Sequence, residues 1–418
     1  MQDAKKLFMK RNFTLFLSGR FISLLGSEIQ RIVIPLFILQ LTGSGTMMGL
    51  FLMFSTIPSL VFLPFAGVIG DRVNKKKAMI ICDFLSGGII LIMACLTHMQ
   101  LITFELLLIL QIPMAIITSF FGVATSSFMP LIIERKNILR ANSIKSVLDN
   151  IAMIAGPSLA GVLFGFAGIE IVFILNAISF IVSAISELFI QYKHVKPEPF
   201  KGNLLKLFFS QTKEGLLYIK SDRQLVLLLL FGGVILNFLI APFIGVIVPY
   251  VSRQVLNFSA TQFGLLESVA SAGILTSSLL MAVLSRKVKN KTLFSTGMIA
   301  QSVALIVYSL FVFPAVRNSI LLTPWLLFTF IAISLFLYRF FNSIVSIPLM
   351  SHLQLNVKES MLSRFFSLLT LFKDISIPLG MALFGFLLDK VQTHVLLSVI
   401  SIAGLLISIV FIRKIDLK

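Results

Sequence analysis

Apolar residues run along this chain in long blocks, and polar residues collect in the short gaps between them. An α-helix rises about 1.5 Å per residue, so about 20 apolar residues cross the hydrocarbon of a bilayer, where each backbone group must find its partner within the segment. On that measure residues 13–41, 46–69, 78–98, 102–128, 144–167 and 169–190 are six predicted spanning helices. Six more fall over 225–250, 260–284, 292–313, 321–347, 363–388 and 393–412. The pattern predicts an all-α integral membrane protein with twelve transmembrane helices.

One long polar stretch, 191–224, separates the two groups of six. The predicted organisation is an N-terminal six-helix bundle over 1–190, a cytoplasmic linker over 191–224 and a C-terminal six-helix bundle over 225–418. Within the linker Lys206, Lys213 and Lys220 recur at a constant spacing among Leu204, Leu205, Phe208, Phe209, Leu216, Leu217 and Ile219. That pattern suits an amphipathic helix on the inner leaflet. The two halves also echo each other. Val33-Ile34-Pro35 followed by Gly49-Leu50 parallels Ile247-Val248-Pro249 followed by Gly264-Leu265, and Leu163-Phe164-Gly165-Phe166 returns as Leu383-Phe384-Gly385-Phe386. A parallel repeat of six plus six helices explains both matches and predicts a cavity between the halves.

Composition agrees with lipid as the solvent: of 418 residues 57% are hydrophobic and 12% charged, with a mean hydropathy of +1.01. The net charge of +18 does not imply nucleic acid, because the basic residues lie between apolar runs rather than on a soluble domain. With the N-terminus inside, most of the 35 Lys and Arg fall in cytoplasmic segments, while Arg253, Arg317 and Lys390 fall outside. Both termini are therefore expected in the cytoplasm, and the chain in the cell membrane as a multi-pass protein. The first apolar run is too long for a signal peptide and reads as a retained helix. Cys82 and Cys95 lie in one predicted helix, about 20 Å apart, so they cannot pair, and no metal site or cofactor is expected.

Between the second and third blocks stands Gly67-Val68-Ile69-Gly70-Asp71-Arg72-Val73-Asn74-Lys75-Lys76-Lys77. On physical grounds it is a tight basic turn at the membrane face, with Asn74 able to take a left-handed backbone and the lysines held at an anionic surface. Its pattern also resembles the signature loop between helices 2 and 3 of the major facilitator superfamily, with Asn74 where that family usually has glycine. Leu139-Arg140-Ala141-Asn142-Ser143 and then Gly156-Pro157-Ser158-Leu159-Ala160-Gly161 resemble the start of helix 5 and the Gly-Pro motif of exporters in the same superfamily. Ala152 and Ala160 stand there in place of glycine. The Cys82-Asp83 pair and the Ala141-Asn142 turn look most like the macrolide-efflux and enterobactin-exporter branch. The resemblance implies alternating access, with Gly67, Asp71, Arg72, Lys75 and Lys76 in a cytoplasmic gate. Asp71 would close it by bonding across to helix 11, through its terminus or Arg364. Gly156, Pro157 and Gly161 would let helix 5 pack closely on its partner in the other half. The helix-4 arginine of many drug/proton antiporters has no counterpart, since 111–128 holds no basic residue.

Ionisable groups within a span cost about 2.5–3.5 kcal/mol each, so each needs a reason. Glu28 and Arg31 share a face of the first helix, either as a structural pair or as a titratable carboxylate poised by its neighbour. Tyr338, Arg339 and Asn342 form a second polar group, in which Arg339 is an attractor for anionic substrate, a counter-ion for Glu28 or Asp374, or a snorkelling or inter-helix hydrogen-bonding side chain. Asn237 is central in helix 7, Asp374 lies inside helix 11 beside Lys373, Glu267 lies in helix 8, and Asp149 leads into helix 5. In the superfamily helices 1, 4, 7 and 10 mainly line the cavity, which favours Glu28, Asn237 and Arg339. His98, His194, His352 and His394 fall in loops or at helix ends, so a carboxylate must carry any proton.

No clustered catalytic set and no Gly-x-x-x-x-Gly-Lys-Ser/Thr segment occurs, which argues against an enzyme and against ATP as the energy source. The expected function is secondary active efflux of a small amphipathic, drug- or macrolide-like compound, coupled to protons or else to sodium, by a monomer in the lipid bilayer. The alternatives on the same fold are a flippase for lipid or lipid precursor and a siderophore or metabolite exporter.

Overall fold

The computed structural model describes residues 2–134, 137–192, 204–284, 287–319, 323–358 and 361–414. The first helices are α1 (Gln2–Thr42), α2 (Gly45–Arg72), α3 (Lys75–His98), α4 (Phe104–Phe128) and α5 (Ile138–Leu188). After α6 (Leu204–Lys220) come α7 (Arg223–Val255), α8 (Ala260–Leu284) and α9 (Asn290–Val312). The last three are α10 (Pro324–Asn356), α11 (Leu362–Lys390) and α12 (Thr393–Lys414). Side-chain oxygens start several of them: Asn74 caps α3 by accepting from Lys77 N, Thr103 caps α4 from Leu106 N, and Thr323 caps α10 from Leu326 N. Asn74 has φ −66°, so this turn uses an extended cap rather than the left-handed backbone expected there.

Among the described residues 11 helices are long and apolar enough to cross a membrane, and α6 is not one of them. The helix α5 has 51 residues, more than two crossings of a core about 30 Å thick. At Gly168 its backbone leaves the helix with φ 74° and ψ −178°, a left-handed φ that a side chain would resist. The chain reverses there through one residue, so the two limbs of α5 supply two crossings and the total is twelve.

The chain divides into two compact units, Met1–Gly43 with Phe51–Gly202, and Ser44–Leu50 with Asn203–Lys418. In the first unit α1 packs along α5, and α3 lies between α5 and α4. Phe16, Met79, Phe128, Met129 and Ile190 bury together, with Phe16 and Tyr192 placing their rings 6.0 and 5.2 Å from that of Phe128.

In the second unit α10 packs against α8 and α9, while α11 packs against α7 and α6. Phe294, Phe365, Phe411, Leu228 and Leu349 belong to one buried cluster there. The helix α6 joins that cluster through Ile219, and Tyr218 Oη accepts a hydrogen bond from Lys358 N at 3.1 Å. Part of its apolar face is thus covered by protein rather than by the leaflet. The N-terminus of α2 is capped by Asp389, which accepts from Ser44 Oγ at 2.5 Å, Gly45 N at 2.7 Å and Thr46 N at 2.9 Å.

Candidate functional site

The helix α1 carries the first polar group inside a span. Arg31 donates from Nε and Nη2 to Glu28 Oε2 at 2.9 and 2.6 Å. The Arg31 side chain remains 58% exposed and that of Glu28 18%, so the guanidinium points off the helix while the carboxylate turns toward its neighbour. That neighbour is Gly156 on the first limb of α5. A Cβ on Gly156 would meet the Cβ of Glu28 at 2.7 Å, too close for any side chain. The Gly-Pro motif therefore seats α5 on α1 at Glu28, within the first unit. Pro157 and Gly161 are buried on the same limb. Near its start Asp149 receives Arg20 Nη2 at 3.3 Å and Lys145 Nζ at 2.8 Å, a three-residue ion cluster joining α5 to α1 through a pair 129 residues apart.

In the basic turn, Lys76 Nζ donates to the carbonyl of Leu188 at 2.8 Å, tying the start of α3 to the end of α5. Lys75 is half-buried, and a Cβ on Gly67 would meet no atom within 4 Å. The side chains of Asp71 and Arg72 lie outside the described residues. Arg364 donates from Nη1 to Glu214 Oε1 on α6 at 2.8 Å, and to Met361 Sδ at 3.3 Å. Its described carboxylate partner is Glu214, and the bond from Asp71 to the terminus of helix 11 or to Arg364 that the resemblance implies falls outside the described residues.

In the second unit Arg339 Nη2 donates to Glu267 Oε2 at 3.0 Å, joining α10 to α8. Both side chains are largely buried, so the partner of Arg339 is neither Glu28 nor Asp374. Asn342, one turn further on, donates to Gln301 Oε1 of α9 at 3.3 Å. Tyr338 is 2% exposed and meets Phe243 edge to face, with centroids 4.9 Å apart. The cavity beside them, lined in part by Gln301, Tyr338 and Phe243, is about 30 Å³, room for a water but not for a substrate. Asp374 is half-buried next to Lys373.

Asn237 bonds to the backbone of its own helix. The helix α7 contains π-helical stretches at Leu229–Ile235, Phe243–Ile247 and Val251–Val255. Each wider turn displaces carbonyls from their usual i+4 partners. Asn237 Nδ2 donates to the carbonyls of Gly232 at 2.7 Å and Gly233 at 3.2 Å, so its amide repairs the helix that carries it.

The polar groups of α1, α5, α8 and α10 thus pair within their own units, and sequence reasoning overlooked two more buried acids, Asp83 and Glu187. In sequence Asp83 stands out only as part of a family-like dipeptide, and Glu187 sits so near the end of its block that it reads as a polar boundary.

The sequence pattern of the Major Facilitator Superfamily matches residues 16–381. Macrolide efflux protein A of Streptococcus pyogenes is 24% identical to this chain over 98% of both. Enterobactin exporter EntS of Citrobacter koseri is 24% identical, over 88% of this chain and 83% of that one. Among solved structures, a bacterial homologue of the iron transporter ferroportin in its inward-facing state gives a TM-score of 0.72 at 19% identity, covering 96% of this chain and 98% of that one. The nucleoside transporter NupG gives 0.74 at 12% identity, over 97% and 100%. At such identities the structures speak for the fold, while the sequence match covers most of the chain. The chain belongs to the major facilitator superfamily and is a multi-pass membrane transporter.

Proposed function

We propose that this transporter is a secondary active exporter of small amphipathic compounds, driven by inward movement of protons through alternating access. The observation that carries the reading is the Glu28–Arg31 pair, an ionisable group deep in a span and held in place by the Gly156 contact. A carboxylate at such a position is costly unless its charge has a use, and exchange of a proton there links solute movement to a gradient. The full-length likeness to a macrolide efflux protein supports the direction and the substrate class. In this reading the basic turn faces the cytoplasm, both termini lie on that side, residues 1–190 and 225–418 form the two rocking bundles, and the monomer is the working unit.

Inside-out vesicles given an imposed pH gradient and a panel of amphipathic compounds, macrolides among them, test this reading. Uptake that follows the pH gradient is expected. Glu28→Gln should abolish gradient-driven uptake and leave substrate exchange intact, whereas unchanged uphill uptake would remove Glu28 from the mechanism. Uptake that follows sodium instead would replace the coupling ion. The likeness to an enterobactin exporter favours a second reading, export of a siderophore or other metabolite. A deletion strain separates these: drug hypersensitivity supports efflux, loss of a secreted metabolite supports the second reading, and an altered lipid profile alone supports a flippase.

A further inference from the structure

Two acids that this transport reading does not use lie inside the first unit. Asp83 on α3 and Glu187 near the end of α5 are each 1% exposed. Neither oxygen of Asp83 has a hydrogen-bond partner, and Oε2 of Glu187 has none. Ser183, one turn before Glu187, is wholly buried, and its hydroxyl stands beside the Asp83 carboxylate without closing a full hydrogen bond. Buried polar atoms are nearly always hydrogen-bonded, so two acids this deeply buried and this poorly partnered call for a cause.

The surrounding charges do not supply it directly. The two acids act on each other electrostatically, with Arg20 of α1 bearing on Asp83 and Lys76 of α3 bearing on Glu187. Yet Lys76 Nζ bonds the Leu188 carbonyl at 2.8 Å. Arg20 Nη2 bonds Asp149 at 3.3 Å, beside Lys145, and its buried Nε is unpartnered. Arg11 Nη2 reaches the Phe189 carbonyl at 3.4 Å, and Cys82 is the other titratable group next to the pair. Among the described residues no ion pair reaches Asp83 or Glu187. Two ionised carboxylates in this setting repel each other in a medium that screens poorly, and both are acceptors only.

We propose that Asp83 and Glu187 form a proton-binding site that holds one shared proton at neutral pH. Protonating one acid removes the repulsion and creates an O–H donor facing a carboxylate acceptor, a strong charge-assisted hydrogen bond. The Ser183 hydroxyl then has an oxygen to which it donates. Leu188, the residue after Glu187, lines an open hollow of about 810 Å³ with Arg11 and Lys76 at the end of the helices, and in this proposal the proton enters from there. Water in that hollow supplies and receives the proton, and only an O–H bond forms or breaks. The site is distinct from Glu28, and it stands or falls without substrate, so its failure would not be a failure of the transport reading.

Infrared difference spectroscopy on the full chain in phosphatidylcholine nanodiscs, between neutral and alkaline pH, tests the site. The wild type should show a deuterium-sensitive C=O band of a protonated carboxyl at neutral pH that vanishes as the pH rises. That band should shift in Asp83→Asn and in Glu187→Gln and disappear in the double variant. No such band in the wild type, or one unaltered in both single variants, would overturn the proposal. A second readout uses the wild type alone. If the native state keeps a proton that the unfolded chain releases, Tm falls as the pH rises from mildly acidic to mildly alkaline. A Tm indifferent to pH across that window, or one raised by sodium at fixed pH, would also overturn it, the latter by identifying a cation site.

Discussion

Arg339 and Glu267 show what a charge inside this molecule is doing. The two side chains are 16% and 8% exposed and 3.0 Å apart, so each is the reason the other is tolerated. Breaking a buried pair from one side commonly costs about 3–5 kcal/mol, because the survivor keeps its charge and loses its partner. Arg339→Gln alone should therefore lower Tm sharply in detergent, and Arg339→Gln with Glu267→Gln should recover much of the loss. Equal destabilisation by the single and double variants would show that the pair is not a unit. The sequence marked Arg339 as an isolated charge because its partner stands 72 residues away, beyond any local periodicity. The Glu28–Arg31 pair was legible for the opposite reason: three residues along one helix place two side chains on the same face.

At the scale of the element, α7 is the helix whose hydrogen bonding departs most from the regular pattern. Its π-helical turns leave carbonyls that need a donor, and Asn237 provides one for two of them. Asn237→Leu keeps the bulk and removes the donor. It should cost about 1–3 kcal/mol, the range for an unsatisfied buried group, read as a lower Tm with substrate affinity unchanged. A loss of affinity at constant Tm would return Asn237 to the substrate pathway. Hydropathy alone located this span but not its irregularity, since the mean over an apolar block is the same whichever turn type its backbone takes. The amphipathic α6 was likewise visible as an alternation of lysines and apolar residues. Its contact with the Phe365 cluster depends on tertiary packing that no local pattern encodes.

On the scale of the whole molecule, twelve crossings followed from block lengths because lipid leaves few alternatives to a helix about 20 residues long. The gap between the fifth and sixth blocks was the least visible boundary, and it proves to be one glycine. With no loop to take up slack, residue number and side-chain direction are locked together across Gly168. Inserting one residue rotates the rest of the helix by roughly 100°, a little over a quarter of a turn at about 3.6 residues per turn. Such a rotation would swing Asn176, which donates to Gln30 at 2.5 Å, and Glu187 from the protein interior toward the acyl chains. An alanine inserted after Gly168 should therefore abolish accumulation in the membrane, while the same insertion after Arg317, at the end of the short Pro314–Arg317 turn, should leave it intact. Equal accumulation of the two would show that the reversal is compliant. For anyone placing an epitope, a fluorophore or a circular permutation in this chain, Gly168 is thus the reversal to leave untouched.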